Sequence, residues 1–134
     1  ASGAVAGLAS VTPAAGYIGP FSALVIGLMA GGLSYAAIIS KGKFGYDDSL
    51  DVVGIHGVGG VVGLLAVGFF ASKAVNSSGA DGLFFGSAGL LGAQALTVAA
   101  VGLFSAGMTF VILKVVDRTV GLRVTAEEES MGLD

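Results

Sequence analysis

The chain has 134 residues, 54% of them hydrophobic and only 11% charged. Soluble domains carry roughly a quarter charged residues, so there is too little charge here to cover a surface facing water. Six basic and nine acidic residues give a net charge of -3 and no basic footprint for nucleic acid, and the absence of cysteine excludes disulfides, thiol catalysis and cysteine-ligated zinc. Residues 1–40, 52–72 and 82–113 contain no charged residue at all. A membrane-spanning helix needs about 20 apolar residues, and each block is long enough to supply one. The fold class expected is therefore all-α, a polytopic membrane helix bundle.

In chain order, residues 1–11 read as the end of one helix. The stretch lacks an initiating methionine and a basic leader region, and it reads as the middle of a helix in a longer protein. "TPAAGYIGP", residues 12–20, breaks the apolar run with Pro13, Gly16, Gly19 and Pro20. A span at about 21–40 follows. "KGKFGYDDSLD", residues 41–51, holds most of the charge in the first half of the chain and belongs in water. A second span covers about 51–71. "SKAVNSSGADG", residues 72–82, is a polar loop, and a last apolar segment covers about 83–117. As one helix this segment would be roughly 50 Å long against a core of about 30 Å. Strong tilt, a non-helical start and a projecting end all remain open. Residues 118–134 form a polar, acidic tail.

Lys41 and Lys43 lie in one loop, and Lys114, Arg118 and Arg123 lie near the end of the last span. Two crossings separate the groups, so they share a side, and the positive-inside rule makes it cytoplasmic. Lys73 is a single charge on the other side. Gly3 and Gly7, Gly27 and Gly31, and Gly59 and Gly63 fall at the small-xxx-small spacing that lets membrane helices approach closely.

The only histidine lies in "VGIHGVGGVVG", residues 53–63, among five glycines. A dinucleotide-binding fingerprint would need G-x-G-x-x-G with an acid about 20 residues on. From Gly57 the second glycine is Gly59, but residue 62 is valine, and the next acid is Asp81, beyond an apolar run. Within a membrane, an ionisable residue faces a bundle interior or a pathway. His56 either lines a path for a small polar solute and relays a proton, or bonds a neighbouring helix. Asp47, Asp48 and Asp51 suit the start of the second span, where acids cap free N–H groups and meet the positive helix end. With α-helical geometry Asp51 and His56 point about 140° apart and lie roughly 7.5 Å apart along the axis, so they are not a proton-sharing pair. Three acids in this run are too few for a hard-metal site.

Three stretches carry a family resemblance. "DDSLDVVGIHGVGGVVGLLAVGFFA", residues 47–71, resembles the penultimate membrane helix of the ammonium transporters of the Amt/Mep/Rh superfamily. "GLASVTPAAGYIGPFSALVIGLMAG", residues 7–31, resembles the two helices before it, and "VDRTVGLRVTAEEESMGLD", residues 116–134, the start of the tail in prokaryotic members. The resemblance implies a protein of eleven membrane helices, with this chain as its C-terminal part: the end of the eighth helix and helices nine to eleven. It implies a homotrimer in the cell (inner) membrane, with residues 41–50 and the tail cytoplasmic. Each subunit would hold an apolar pore that captures ammonium outside, deprotonates it and moves ammonia and a proton inward. His56 matches the second of two pore histidines, Val52 a residue lining the pore below it, and Asp48 and Asp51 acids that hold the start of this helix. A PII-type regulator would dock on the cytoplasmic face, while "TAEEES", residues 125–130, reads more simply as a solvated acidic segment. The resemblance implies no enzyme, cofactor or metal. The first two thirds of the family's chain are missing here, and with them the other histidine, the outer aromatic cage and the phenylalanine gate. The tail stops short of a His-Gly-Glu motif. The alternative is a non-transporting ammonium sensor or regulatory membrane subunit of the same fold. The topology predicts that protease added to right-side-out vesicles cuts within residues 72–82 and spares 41–50; the reverse pattern, read by mass spectrometry of the fragments, would overturn it.

Overall fold

The computed structural model describes residues 2–132, so Ala1, Leu133 and Asp134, which the sequence reading places in the first helix end and the tail, lie outside it. The regular elements among the described residues are all helical, with no strand. The chain divides into two compact units, residues 1–98 and 99–134.

In the first unit, helix α1 covers Ser2–Val11 and passes into a single 3-10 turn, Thr12–Ala14. Helix α2, Pro20–Phe44, opens on Pro20, whose missing N–H would have had no partner at that position in any case. It stops at Gly45, which turns left-handed at φ 67° and donates its N–H to the Lys41 carbonyl at 3.0 Å. The sequence reading ends this span near residue 40, whereas the helix runs on to Phe44 with Lys41 and Lys43 in its last turn. Two cations there complement the negative end of the helix dipole, so the charged stretch begins as helix.

Helix α3, Val53–Phe70, begins with a π-helical turn, Val53–Val58, and continues as α-helix over Gly59–Phe70. Its far end leads through Ala71 into the 72–82 loop. Ser72 N–H donates to the Tyr17 carbonyl at 2.9 Å, tying this loop to the turn after α1, and Gly82 N–H donates to the Ala71 carbonyl at 2.8 Å, closing the loop on itself. Asp81 accepts from Lys73 N–H at 2.8 Å. Leu83–Phe85 form a 3-10 turn whose Phe84 ring packs at 5.6 Å from Phe69 and edge-on at 5.0 Å from Phe70. Helix α4, Gly89–Thr119, starts only after this turn, six residues beyond the expected start near Leu83. Its 31 residues make it about 46 Å long. Part of the excess length in the sequence reading is therefore non-helical.

Close backbone contact holds α1, α2 and α3 together. A Cβ at Gly7 would lie 2.8 Å from the Gly27 carbonyl oxygen, and one at Gly31 2.9 Å from the Gly3 carbonyl oxygen. The two glycine pairs of α1 and α2 thus face each other where the helices cross. Helix α3 lies against both: a Cβ at Gly59 would be 2.8 Å from Ser10 Oγ, and one at Gly63 would overlap the Ser10 carbonyl. Ser10 Oγ donates to the Ala6 carbonyl at 2.8 Å, so this buried hydroxyl is satisfied inside its own helix. Toward the 72–82 loop the seam widens into a small core of Ala14, Ile18, Ile26, Ala66, Val67 and Ala71, with Leu90 of α4 against it.

Outside this core the helices are apolar and open. Phe21 and Leu28 of α2 are each 79% exposed. Three helices, Pro20–Phe44, Val53–Phe70 and Gly89–Thr119, are long and apolar enough to cross a membrane, and hydrocarbon makes such exposure cost little. In the second unit no described residue is buried. Lys114 sits 5.8 Å from the centroid of the Phe110 ring. The tail forms a short helix, α5, Ala126–Met131, behind a capping box: Thr125 Oγ1 accepts from Glu128 N–H at 3.2 Å, and Glu128 Oε2 accepts from Thr125 N–H at 2.8 Å. These bonds from Thr125 hold the Glu128 carboxyl below the usual carboxylate range.

Gly63→Val places two methyl groups against the Ser10 backbone, which has no room to yield. We expect a loss of about 1–3 kcal/mol, seen as a lower unfolding midpoint of the protein in detergent. Gly42→Ala, facing open space near the end of α2, should leave that midpoint unchanged or slightly raised.

Candidate functional site

The site builds from the loop that joins α2 to α3. After Gly45 reverses the chain, a turn closes with Asp51 N–H donating to the Asp48 carbonyl at 3.2 Å. Asp48 then spreads its carboxylate over the start of α3. Its Oδ1 accepts from Val52 N–H and its Oδ2 from Val53 N–H, both at 2.9 Å. Two of the N–H groups that every helix start leaves unpaired are thereby satisfied.

Asp51 has a different part. Its backbone is left-handed at φ 56°, the one described non-glycine residue with positive φ. Aspartate tolerates this conformation better than most residues, but it remains unfavourable. The Asp51 carbonyl accepts from Ile55 N–H at 2.8 Å, beginning the ladder of the helix. Its carboxylate turns away from the helix toward α2, where Lys41 Nζ meets Oδ1 at 2.5 Å, both side chains being largely shielded. Lys41 Nζ also donates to the Asp48 carbonyl at 2.7 Å. One lysine therefore binds both acids of the helix start. The sequence reading assigns Lys41 only to the basic loop. Its partners lie 7 and 10 residues away across a chain reversal, a spacing that no helical period reveals.

His56 lies inside the π-turn, so the α-helical angle between Asp51 and His56 does not carry over. In such a turn backbone bonds run from i to i+5 and the helix bulges by one residue, a feature that recurs at functional sites. Gly54 is buried on one side, where a Cβ would come within 2.5 Å of Ile38 Cγ1 of α2. His56 and Val52 are both exposed. The described helices thus pack against the glycine side of this turn and leave the imidazole side open. The structure brings Asp48, Asp51 and Val52 together at the helix start, with His56 one turn further on. A neutral imidazole offers one donor and one acceptor nitrogen. Gly57 and Gly60 beside it carry no side chain, so a small polar solute or another helix can approach the ring. Among the described residues, no group of three or more histidine or acidic residues is placed to hold a metal ion.

All of residues 1–134 match the family model described as Ammonium Transporter Family. The chain is similar to an ammonium transporter of Bacillus subtilis, with 51% identity over 134 residues, covering 99% of this chain and 33% of that protein. It is 47% identical over 133 residues to ammonium transporter Amt1 of Archaeoglobus fulgidus, covering 99% of this chain and 34% of that one. Among solved structures, Saccharomyces cerevisiae Mep2 superposes with a TM-score of 0.86 at 32% identity, over 97% of this chain and 30% of that chain. Candida albicans Mep2 gives 0.85 at 33% identity, over 95% and 29%. The chain spans about a third of the length of the curated relatives it matches.

Asp48→Ala removes the acceptor of two helix-start N–H groups. A cost of about 1 kcal/mol is expected, together with faster hydrogen exchange at Val52 and Val53. Asp48→Asn, which keeps one acceptor oxygen, should lose less on both measures.

Proposed function

This chain belongs to the Ammonium Transporter Family, and from that premise we propose that it is part of a membrane conduit for ammonium or ammonia in which His56 handles the proton. The observation that carries the reading is the setting of the only histidine: a widened turn of a membrane-length helix, with the ring on the side that α1 and α2 leave open.

Ammonium is expensive to bring into hydrocarbon as an ion, whereas ammonia is a small neutral molecule. A histidine on an apolar path accepts a proton at one ring nitrogen and donates at the other, so the charge need not travel with the nitrogen compound. Val52, one turn earlier on the open side, lines the same path toward the cytoplasm and keeps it apolar. Asp48 and Asp51 hold the helix start that carries both. In the complete protein a second histidine from another helix completes the relay, and three subunits assemble in the cell membrane. Residues 41–50 and the tail lie in the cytoplasm, where a PII-type regulator docks. The names of the relatives and the charge-free spans support this reading.

The test is uptake of labelled methylammonium by the complete protein in proteoliposomes, with membrane current recorded in parallel. His56→Ala is expected to cut uptake by about tenfold or more, or to let potassium leak. Unaltered rate, selectivity and current in an assembled trimer would reduce His56 to a packing residue. If the wild-type protein is assembled and shows no saturable uptake, the sensor reading replaces transport.

A further inference from the structure

We propose that Lys41 is a positioning residue for His56: by holding Asp51 in its left-handed conformation it keeps the following turn π-helical and so sets the direction of the imidazole. The inference rests on the proposed role of His56 and extends it to a residue in another helix.

Two fixed points bracket the histidine. On one side is Asp51. Its carbonyl receives the first hydrogen bond of the helix, from Ile55 N–H at 2.8 Å, and its carboxylate is held by Lys41 Nζ. Lys41 comes from the last turn of α2, and its own carbonyl is engaged by Gly45 N–H. On the other side are Gly59 and Gly63, seated against Ser10 of α1 without room for a Cβ. Gly54, between them, is pressed against Ile38. With both ends held, the residue in excess of an α-helical count is taken up in between, at Val53–Val58, where the structure is π-helical. His56 lies in that interval and does not share the packing of either end.

The Asp51 conformation is the weak point of this arrangement. A non-glycine residue at φ 56° is unfavourable by itself and persists where its surroundings hold it. Lys41 does so through two bonds at once, to the Asp51 carboxylate and to the Asp48 carbonyl. Without the ammonium group, Asp51 is free to return to a right-handed or extended backbone. The helix start then shifts and the π-turn can rewind as α-helix. Gly59–Phe70 keeps its packing, while His56 rotates relative to it. A lysine that does not touch the ring would thus govern where the ring points.

The experiment uses the complete protein, with Lys41→Ala, Lys41→Gln and Lys41→Arg, alone and combined with His56→Ala. The first readout is amide hydrogen exchange. Lys41→Ala should speed exchange at Val53–Val58 and leave residues 64–70 unchanged; an unchanged pattern at Val53–Val58 overturns the proposal whatever transport does. The second readout is methylammonium uptake. The saturating rate of Lys41→Ala should fall about tenfold, as expected for a displaced reacting group, with little change in half-saturation and with recovery in Lys41→Arg. In the His56→Ala background the same substitution should change nothing further; an additive loss there would show that Lys41 acts by another route. If Lys41→Ala fails to assemble, the other two decide: Arg near wild type with Gln reduced supports the proposal, and equal rates overturn it. A wild-type protein without uptake refutes the transport reading instead, and a fully active His56→Ala refutes the role of His56 in it; in both cases hydrogen exchange still decides whether Lys41 holds the turn.

Discussion

Contact of backbone with backbone, where glycine leaves no side chain between, is the constraint on which the first unit of this structure depends. Apolar side chains gain little by leaving lipid for protein, so helices in a bilayer associate through close packing. Gly3 and Gly7 meet Gly31 and Gly27, and Gly59 and Gly63 meet Ser10. Gly68 meets the backbone of Leu91 in the same way. These contacts leave little freedom in how α1, α2 and α3 cross. They also define which side of α3 is spent on packing. His56 lies off that side and stays open, because Gly54, Gly59 and Gly63 make the packing contacts.

The ends of α3 are held by different physics. Toward the 72–82 loop, the chain is tied down by backbone hydrogen bonds and the aromatic contacts of Phe84. At the other end, charges do the work: Asp48 on the helix N–H groups and Lys41 on Asp51. Both side chains of this ion pair are only partly exposed, so salt screens it less than it would a fully exposed pair. The histidine therefore sits between a charged end and an apolar seam.

Much of this was legible in the sequence, for physical reasons that can be named residue by residue. Charge-free blocks of helical length announce spans because a charge in hydrocarbon is costly, and the paired glycines of α1 and α2 announce a contact because their spacing puts them on one face. The lone histidine stood out because an ionisable side chain is costly within an apolar span. Three features were not legible. The π-turn has no residue signature: Val53–Val58 read as ordinary apolar helix, and nothing in their letters marks the change of hydrogen-bond pattern. The tie from Lys41 to Asp51 crosses a chain reversal whose geometry depends on Gly45 being left-handed. The continuation of α2 through Lys41 and Lys43 was hidden because charge reads as loop, although cations suit the last turn of a helix.

The widened turn also says something about heredity. A substitution alters a side chain and leaves the number of residues between two held points intact. An insertion or deletion of one residue turns everything beyond it by about 100° on an α-helix. Between Asp51 and Gly59 such an event must either erase the bulge or double it, and in both cases His56 swings away from its present direction while the glycine seam tries to stay seated. The loop at 72–82 can absorb a change of length in its turns. Gene variants of this protein should therefore drift in length there, and keep the count from Asp51 to Gly59 constant even where the letters between them change.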